Sequence, residues 1–287
     1  MLLPAALALF AGACFGLTAH IQRAALVGAD IRIGTFVSLA SMAALSWVLA
    51  PFLVDPAWWS SRAVWIFALC GLMFPALSQT LQILGVAKVG PTLTSAMGSV
   101  APFFAALPAV LFLGEAMSVQ IALGMSVVVL GLMLSALSAG APSSRDWSLL
   151  ALLIPVGASA ARGLTQPITK FGMLEVPSPF FATLVMVSVS SAVVSLRLIG
   201  RRAPEARATP RGIALFAVNG IINGLGILAL LLAINLSAVT IAAPLATTAP
   251  LWTLVFGALF FRTEVIRPRQ WAFSLLVVLG VVLIVAR

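Results

Sequence analysis

Apolar positions fill ten long runs of this chain, broken mainly by small, hydroxyl or amide side chains, at residues 2–22, 31–54, 63–86, 90–113, 118–139, 147–171, 179–200, 211–236, 239–261 and 268–286. A bilayer core about 30 Å thick takes roughly 20 mostly apolar residues per spanning helix. The runs have that length and lack the polar–apolar alternation of lipid-facing barrel strands. They predict an all-α integral membrane protein with ten transmembrane helices and leave almost nothing for a soluble domain. Residues 2–22 lack the positive n-region of a signal peptide, and Gln22-Arg23 stands where a small-residue cleavage site belongs, so this run reads as a first helix.

The polar punctuation repeats. Gly16-Leu17-Thr18-Ala19-His20-Ile21-Gln22-Arg23 returns 147 residues later as Gly163-Leu164-Thr165-Gln166-Pro167-Ile168-Thr169-Lys170. Ala101-Pro102 and Ala249-Pro250 each precede, by about fourteen residues, an acid that ends the helix, Glu115 and Glu264. Gly131 and Gly280 keep a spacing of 149. The halves, 1–140 and 141–287, hold five helices each, and an odd number forces the second to enter the membrane in the opposite sense. Inverted repeats meeting near the midplane are a common plan of secondary transporters, because two symmetry-related arrangements give alternating access to one site. Pro75, Pro102, Pro167, Pro244 and Pro250 interrupt runs, and Pro102 and Pro250 are the candidate hinges. Gly12/Gly16 and Gly220/Gly224 have the spacing that lets helix backbones approach within a bundle.

Composition sharpens this picture: 62% hydrophobic residues, 8% charged and a mean hydropathy of +1.18 exceed what a water-soluble domain accommodates. The net charge of +9 sits mostly between the runs, where topology selection accounts for it better than nucleic acid does. Twelve of the sixteen Lys and Arg, among them Arg23, Lys88, Arg145, Arg201 and Arg267, fall in the odd-numbered connections, with Arg62, Lys170 and Arg287 on the other side. Counting positive residues inside puts the odd connections in the cytoplasm and both termini outside. Trp58, Trp59, Trp147 and Trp271 stand at run edges, as an interfacial belt requires. Cys14 and Cys70 are single thiols in apolar surroundings and read as small core residues. No phosphate-binding GxxxxGK[ST] loop and no catalytic or metal cluster is present, so ATP-driven transport, enzyme activity, a metal and a cofactor are not expected.

Inside the runs, Arg162 stands out. It lies near the middle of the sixth, while Asp30, Asp55, Glu115, Asp146, Glu175, Glu205 and Glu264 all fall at run ends or in connections. A midspan Arg costs several kcal/mol unless paired or hydrated. Either it binds helix carbonyls and snorkels, or it faces a hydrated cavity and meets the carboxylate of a substrate; the second reading carries function. His20, the only His, either shuttles protons or bonds a neighbouring helix. Gln79 and Gln82 share a face of the third run, and Asn219 and Asn223 a face of the eighth, its repeat equivalent. These amides, with Thr18, Thr165 and Gln166, are candidate hydrogen-bonding groups of a binding site, and Phe15 a candidate wall.

Ten apolar helices in a five-plus-five repeat, with Pro102 leading to Leu113-Gly114-Glu115 and Pro250 leading to Thr263-Glu264, resemble the drug/metabolite transporter superfamily, EamA type. The second half departs from the pattern in having Arg262-Thr263-Glu264 where Gly precedes Glu in the first. The resemblance implies a central cavity lined mainly by helices 1, 3, 4, 6, 8 and 9, and amino-acid exporters of the YddG kind are close in length and plan. The expectation is a multi-pass carrier of a bacterial inner membrane that works as a monomer in the bilayer and exports small metabolites, amino acids first. Organic anions or drugs are the other cargoes open, and a channel-like or lipid-modifying protein the other class. The inverted repeat and the single midspan charge favour a carrier, and the lack of a membrane carboxylate disfavours cationic drugs. Many members of that superfamily are instead drawn with both termini in the cytoplasm; a reporter active only in the cytoplasm, fused after Arg287, should stay silent, and strong signal would reverse the orientation read from the charges.

Overall fold

A computed structural model describes residues 2–138, 149–199, 208–261 and 268–286, and among them it is helical with no strand. Backbone polar groups in hydrocarbon must be satisfied within their own segment, which is why runs this apolar become helices. The elements are α1 (Leu2–Ala25), α2 (Ile31–Leu53), α3 (Ala63–Gly71), α4 (Ser78–Val89), α5 (Pro91–Gly98), α6 (Ala101–Leu113) and α7 (Val119–Ser138) in the first half. The second half holds α8 (Leu153–Glu175), α9 (Pro179–Ile199), α10 (Pro210–Leu236), α11 (Val239–Ala246), α12 (Ala249–Leu259) and α13 (Pro268–Val285). Three spans are each made of two helices end to end: α3 with α4, α5 with α6, and α11 with α12. The result is ten spans in two inverted sets of five.

Chain punctuation follows local chemistry. Gly90, at φ +88°, turns the chain between α4 and α5, and Pro91 opens α5 where a missing N–H costs nothing. Gly114 ends α6 in the left-handed conformation, at φ +63°. The Thr209 hydroxyl accepts from Gly212 N at 3.1 Å to cap α10, and the Asp55 carboxylate accepts from Ala57 N at 2.9 Å. Among the described residues, seven helical stretches are long and apolar enough to cross a membrane, and Val119–Leu134 and Leu275–Val285 add two shorter apolar ones. The exception is α8, which carries Arg162, Lys170 and a buried file of Ser159, Thr165, Gln166 and Thr169. Its polar face turns inward, so the bundle rather than lipid receives it. Outward-facing side chains such as Phe52, Trp65 and Phe112 are strongly exposed and apolar, as a lipid-facing surface requires.

Packing obeys the repeat. α1 lies against α10, α11 and α12, and its equivalent α8 lies against α3, α4, α5 and α6. α2 meets its own equivalent α9, and α7 meets α13. The glycines of the repeated motif make the central crossings. A Cβ on Gly16 would lie 2.7 Å from Ala249 O and 2.8 Å from Thr253 N, while one on Gly163 would strike Ala101 O and lie 2.7 Å from Phe104 Cβ. The outer pair repeats the device: Gly131 abuts Val277 and Phe273 O, and Gly280 abuts Val128 and Gly124 O. The Gly12/Gly16 and Gly220/Gly224 spacings thus serve packing inside the bundle, Gly12 against Thr248 and Gly224 against Met42.

Trp58 and Trp59 sit in the short 3-10 turn Pro56–Ser60, where Trp59 stacks on Trp47 at 5.8 Å. Trp147, Arg145, Asp146, Arg201, Arg202, Glu205, Arg207, Arg262, Thr263, Glu264, Arg267 and Arg287 lie outside the described residues, as do the side chains of Arg197 and Trp271. Replacing Gly16 or Gly163 by Leu should lower the melting temperature of detergent-solubilised protein, because overpacking a tight crossing costs about 1–3 kcal/mol. Gly98→Ala, with nothing within 4 Å of its new Cβ, should not. Equal melting of all three variants and the parent would show that these crossings are not close-packed.

Candidate functional site

Spans four and nine break at matching depth. α5 ends at Gly98 and α6 begins at Ala101; α11 ends at Ala246 and α12 begins at Ala249. Pro102 and Pro250 sit in the first turn after each break, where no helical partner for the missing N–H is needed. Hydroxyls satisfy part of the freed backbone: Thr247 Oγ1 donates to Pro244 O at 2.7 Å, and Thr248 Oγ1 to Leu245 O at 2.8 Å. Non-helical backbone at membrane depth is tolerated where it is buried in protein or lines a cavity. Both breaks do so: Gly98, Ala246, Thr247 and Ala249 line a pocket with about 430 Å³ of atom-free space, its mouth included.

The rest of the lining comes from both halves. α1 supplies Phe15, Thr18 and Gln22, one face at helical spacing; α4 supplies Gln79 and Gln82; and α5, α8 and α10 add Ser95, Arg162 and Asn223. Phe15 and Arg162 are repeat equivalents, and they touch: the guanidinium carbon of Arg162 stands 4.8 Å from the centre of the Phe15 ring and 5.5 Å from that of Phe74. Two aromatic faces therefore flank the cation. Among the described residues no carboxylate comes within ion-pair distance of Arg162, and its buried Nε has no hydrogen-bond partner. Asn223 Nδ2 donates to Gln79 Oε1 at 3.1 Å, joining α10 to α4 across the halves, and leaves Gln79 Nε2 without an acceptor.

Four of the sequence candidates lie off this lining. His20 Nε2 meets Thr253 O at 2.7 Å and its ring stacks on Phe261 at 4.8 Å, so the imidazole fastens α1 to the end of span nine. Because a carbonyl can only accept, Nε2 carries the proton, and Nδ1 is buried without a partner. Thr165 Oγ1 bonds back to Ala161 O and Arg162 O within α8. Asn219 Nδ2 donates to Ser38 Oγ at 3.0 Å, between α10 and α2. Gln166 is 3% exposed, its Oε1 unpartnered. Sequence reading missed Gln22, Ser95 and Thr247. Gln22 shares the α1 face of Phe15 and Thr18, a signal hidden by ending the first run at that residue; α1 continues to Ala25. Among the described residues no group of three or more metal-ligating side chains gathers.

Two stretches, residues 2–137 and 149–286, each match the model of the EamA-like transporter family. The chain belongs to the EamA-like transporter family. It is thus a multi-pass membrane transporter of drug/metabolite type. A solved structure described only as the crystal structure of a protein shares the fold, with a TM-score of 0.71 at 14% identity over 97% of this chain and 95% of that one. None of the curated proteins matches the sequence.

In this EamA-like protein a hydrogen-bonded cluster ties one end of the bundle together. Glu115, just past α6, accepts from Val239 N at 2.8 Å and Thr240 N at 3.0 Å at the start of α11, and from Lys170 Nζ at 3.0 Å. Lys170 also donates to Ser237 O at 2.7 Å. Nearby, Glu175 Oε1 accepts from Arg62 N at 3.0 Å. Spans four, six and nine are therefore tied together at the end that carries the even-numbered connections. Phe15, Thr18 and Gln22 run from mid-depth the other way, towards exposed Arg23. Burial alone would push the Glu115 carboxyl up, yet the two amides and Lys170 outweigh it and hold it below the usual carboxylate range. A carboxyl lowered in the folded state adds stability above its unfolded pKa and loses it as pH falls through the folded value. Glu115→Gln should therefore cost about 1.5–3 kcal/mol at neutral pH, the worth of hydrogen bonds to a charged group. Melting curves of both proteins from pH 7 to pH 4 should converge as the wild-type carboxyl protonates; a gap that stays constant would contradict a charged Glu115.

Proposed function

We propose that this EamA-like transporter exports small carboxylate-bearing metabolites, amino acids first, across a bacterial inner membrane by alternating access to the pocket between its halves. The observation that carries the reading is Arg162: a midspan cation flanked by two aromatic rings, lining a polar pocket, with no carboxylate in reach among the described residues. A guanidinium placed so is costly in a membrane unless an anion or water completes it, and its fork matches a carboxylate. Binding a carboxylate there replaces solvent around the charge with a directed pair. Amide side chains of Gln79, Gln82 and Asn223 and the hydroxyl of Thr18 supply hydrogen bonds to the remainder of the ligand, while Phe15 limits its size.

Alternating access then follows from the inverted halves. The Glu115–Lys170 cluster holds spans four, six and nine together on one side, so passage to that side needs those bonds to part. Pro102 and Pro250, at the start of each second half-helix, are the points about which spans four and nine bend. With His20 fastened to Thr253 O and away from the pocket lining, transport runs by facilitated diffusion or exchange rather than on a proton gradient.

Proteoliposomes loaded with labelled neutral, aromatic and acidic amino acids test the reading. Efflux of some of them should proceed without an imposed pH gradient. Arg162→Ala should cut carboxylate efflux at least about tenfold, the loss expected for one charge-assisted contact, while the variant elutes from a sizing column as the wild type does. Unchanged efflux by Arg162→Ala would remove that residue from the site.

A further inference from the structure

We infer that Gln22 forms an acceptor pole opposite Arg162 and that the pocket selects zwitterions, carboxylates bearing a free protonated amine, over plain organic anions. The inference rests on the carboxylate reading of Arg162 and adds to it the recognition of the amine.

Gln22 is 1% exposed, lines the pocket, and has an Oε1 with no hydrogen-bond partner. A buried acceptor left unmade is unfavourable, and it stops being so when a ligand donates to it. The unpartnered polar atoms of the pocket lining divide by chemistry: Arg162 Nε and Gln79 Nε2 are donors, Gln22 Oε1 is an acceptor. The other unpartnered buried groups, on His20, Thr94, Gln166, Asn219, Thr240 and Trp252, lie off the lining and do not bear on the ligand.

Depth supports the pairing. Gln22 is seven residues beyond Phe15, about 10 Å along the α1 axis at 1.5 Å per residue. Helical side chains lean towards the N-terminus of their helix, so Gln22 reaches back towards the level of Phe15. Inversion of the repeat makes α8 run opposite to α1, and the same rule leans Arg162 towards Gln22. The two poles thus converge across the pocket. A des-amino acid would satisfy Arg162 and leave Gln22 Oε1 unanswered.

Equilibrium binding to the purified full-length protein in detergent tests this with matched pairs: leucine against 4-methylpentanoate, and phenylalanine against 3-phenylpropionate. The wild type should bind the amino acid at least about tenfold more tightly than its des-amino partner, the worth of one buried hydrogen bond to a charged group. Gln22→Leu should bring the two within about threefold by weakening the amino acid, and Arg162→Gln should weaken both. If Gln22→Leu does not elute as a single species, Gln22→Glu takes its place and should keep or widen the preference. Equal wild-type affinity within a pair, an unchanged ratio in Gln22→Leu, or a preference lost in Gln22→Glu would overturn the zwitterion pole while leaving the carboxylate reading intact. Undiminished binding by Arg162→Gln, or no wild-type binding of either member of any pair, would overturn both.

Discussion

Everything in this fold hangs on two helix crossings with no side chain between the backbones. At Gly16 the first span presses on the restart of span nine, and at Gly163 the sixth span presses on the restart of span four. Lipid gives helices no hydrophobic reason to associate, so close van der Waals contact must supply the attraction, and glycine is what permits it. Each crossing joins one half to the other. The two halves are therefore interlocked rather than merely adjacent, and the breaks at Gly98–Ala101 and Ala246–Ala249 are brought to the centre of the bundle, where exposed backbone can face a pocket instead of hydrocarbon.

That arrangement explains why the repeat motif was so legible. Gly16 and Gly163 recur because the same contact is made twice, and Gly131 and Gly280 recur because α7 and α13 exchange one contact. Span number and inverted topology were readable for the same reason: they depend on run length and on parity. The breaks were less so. Ala101-Pro102 and Ala249-Pro250 marked their place, but a proline in an apolar run looks alike whether it kinks a continuous helix or starts a second one, and only the backbone of Ser99 and Thr248 decides between them.

Site residues divide along a similar line. Phe15, Thr18, Gln79, Gln82, Arg162 and Asn223 reach the pocket because helix faces follow from spacing. His20 and Asn219 are equally polar and equally placed by spacing, yet a neighbouring carbonyl and a serine hydroxyl absorb them. Which partner a buried polar group finds depends on the helix packed against it, and one sequence does not list that. Gln22 shows the converse error, since a charged neighbour suggested a helix end one turn too early and hid a buried amide.

The position that breaks the symmetry is also the one that carries the midspan charge. Residues 15 and 162 are equivalent and face each other across the pseudo-two-fold axis, so equal side chains there would meet themselves. Two guanidiniums about 5 Å apart would repel by about 3 kcal/mol at an effective dielectric constant of 20. Phe15 removes that repulsion and replaces it with attraction to the ring face. The halves can interlock as near copies, but the axis can hold only one charge. An inverted repeat that places a charge at its centre must therefore diverge there, and the pairing of Phe15 with Arg162 is the form that divergence takes in this chain.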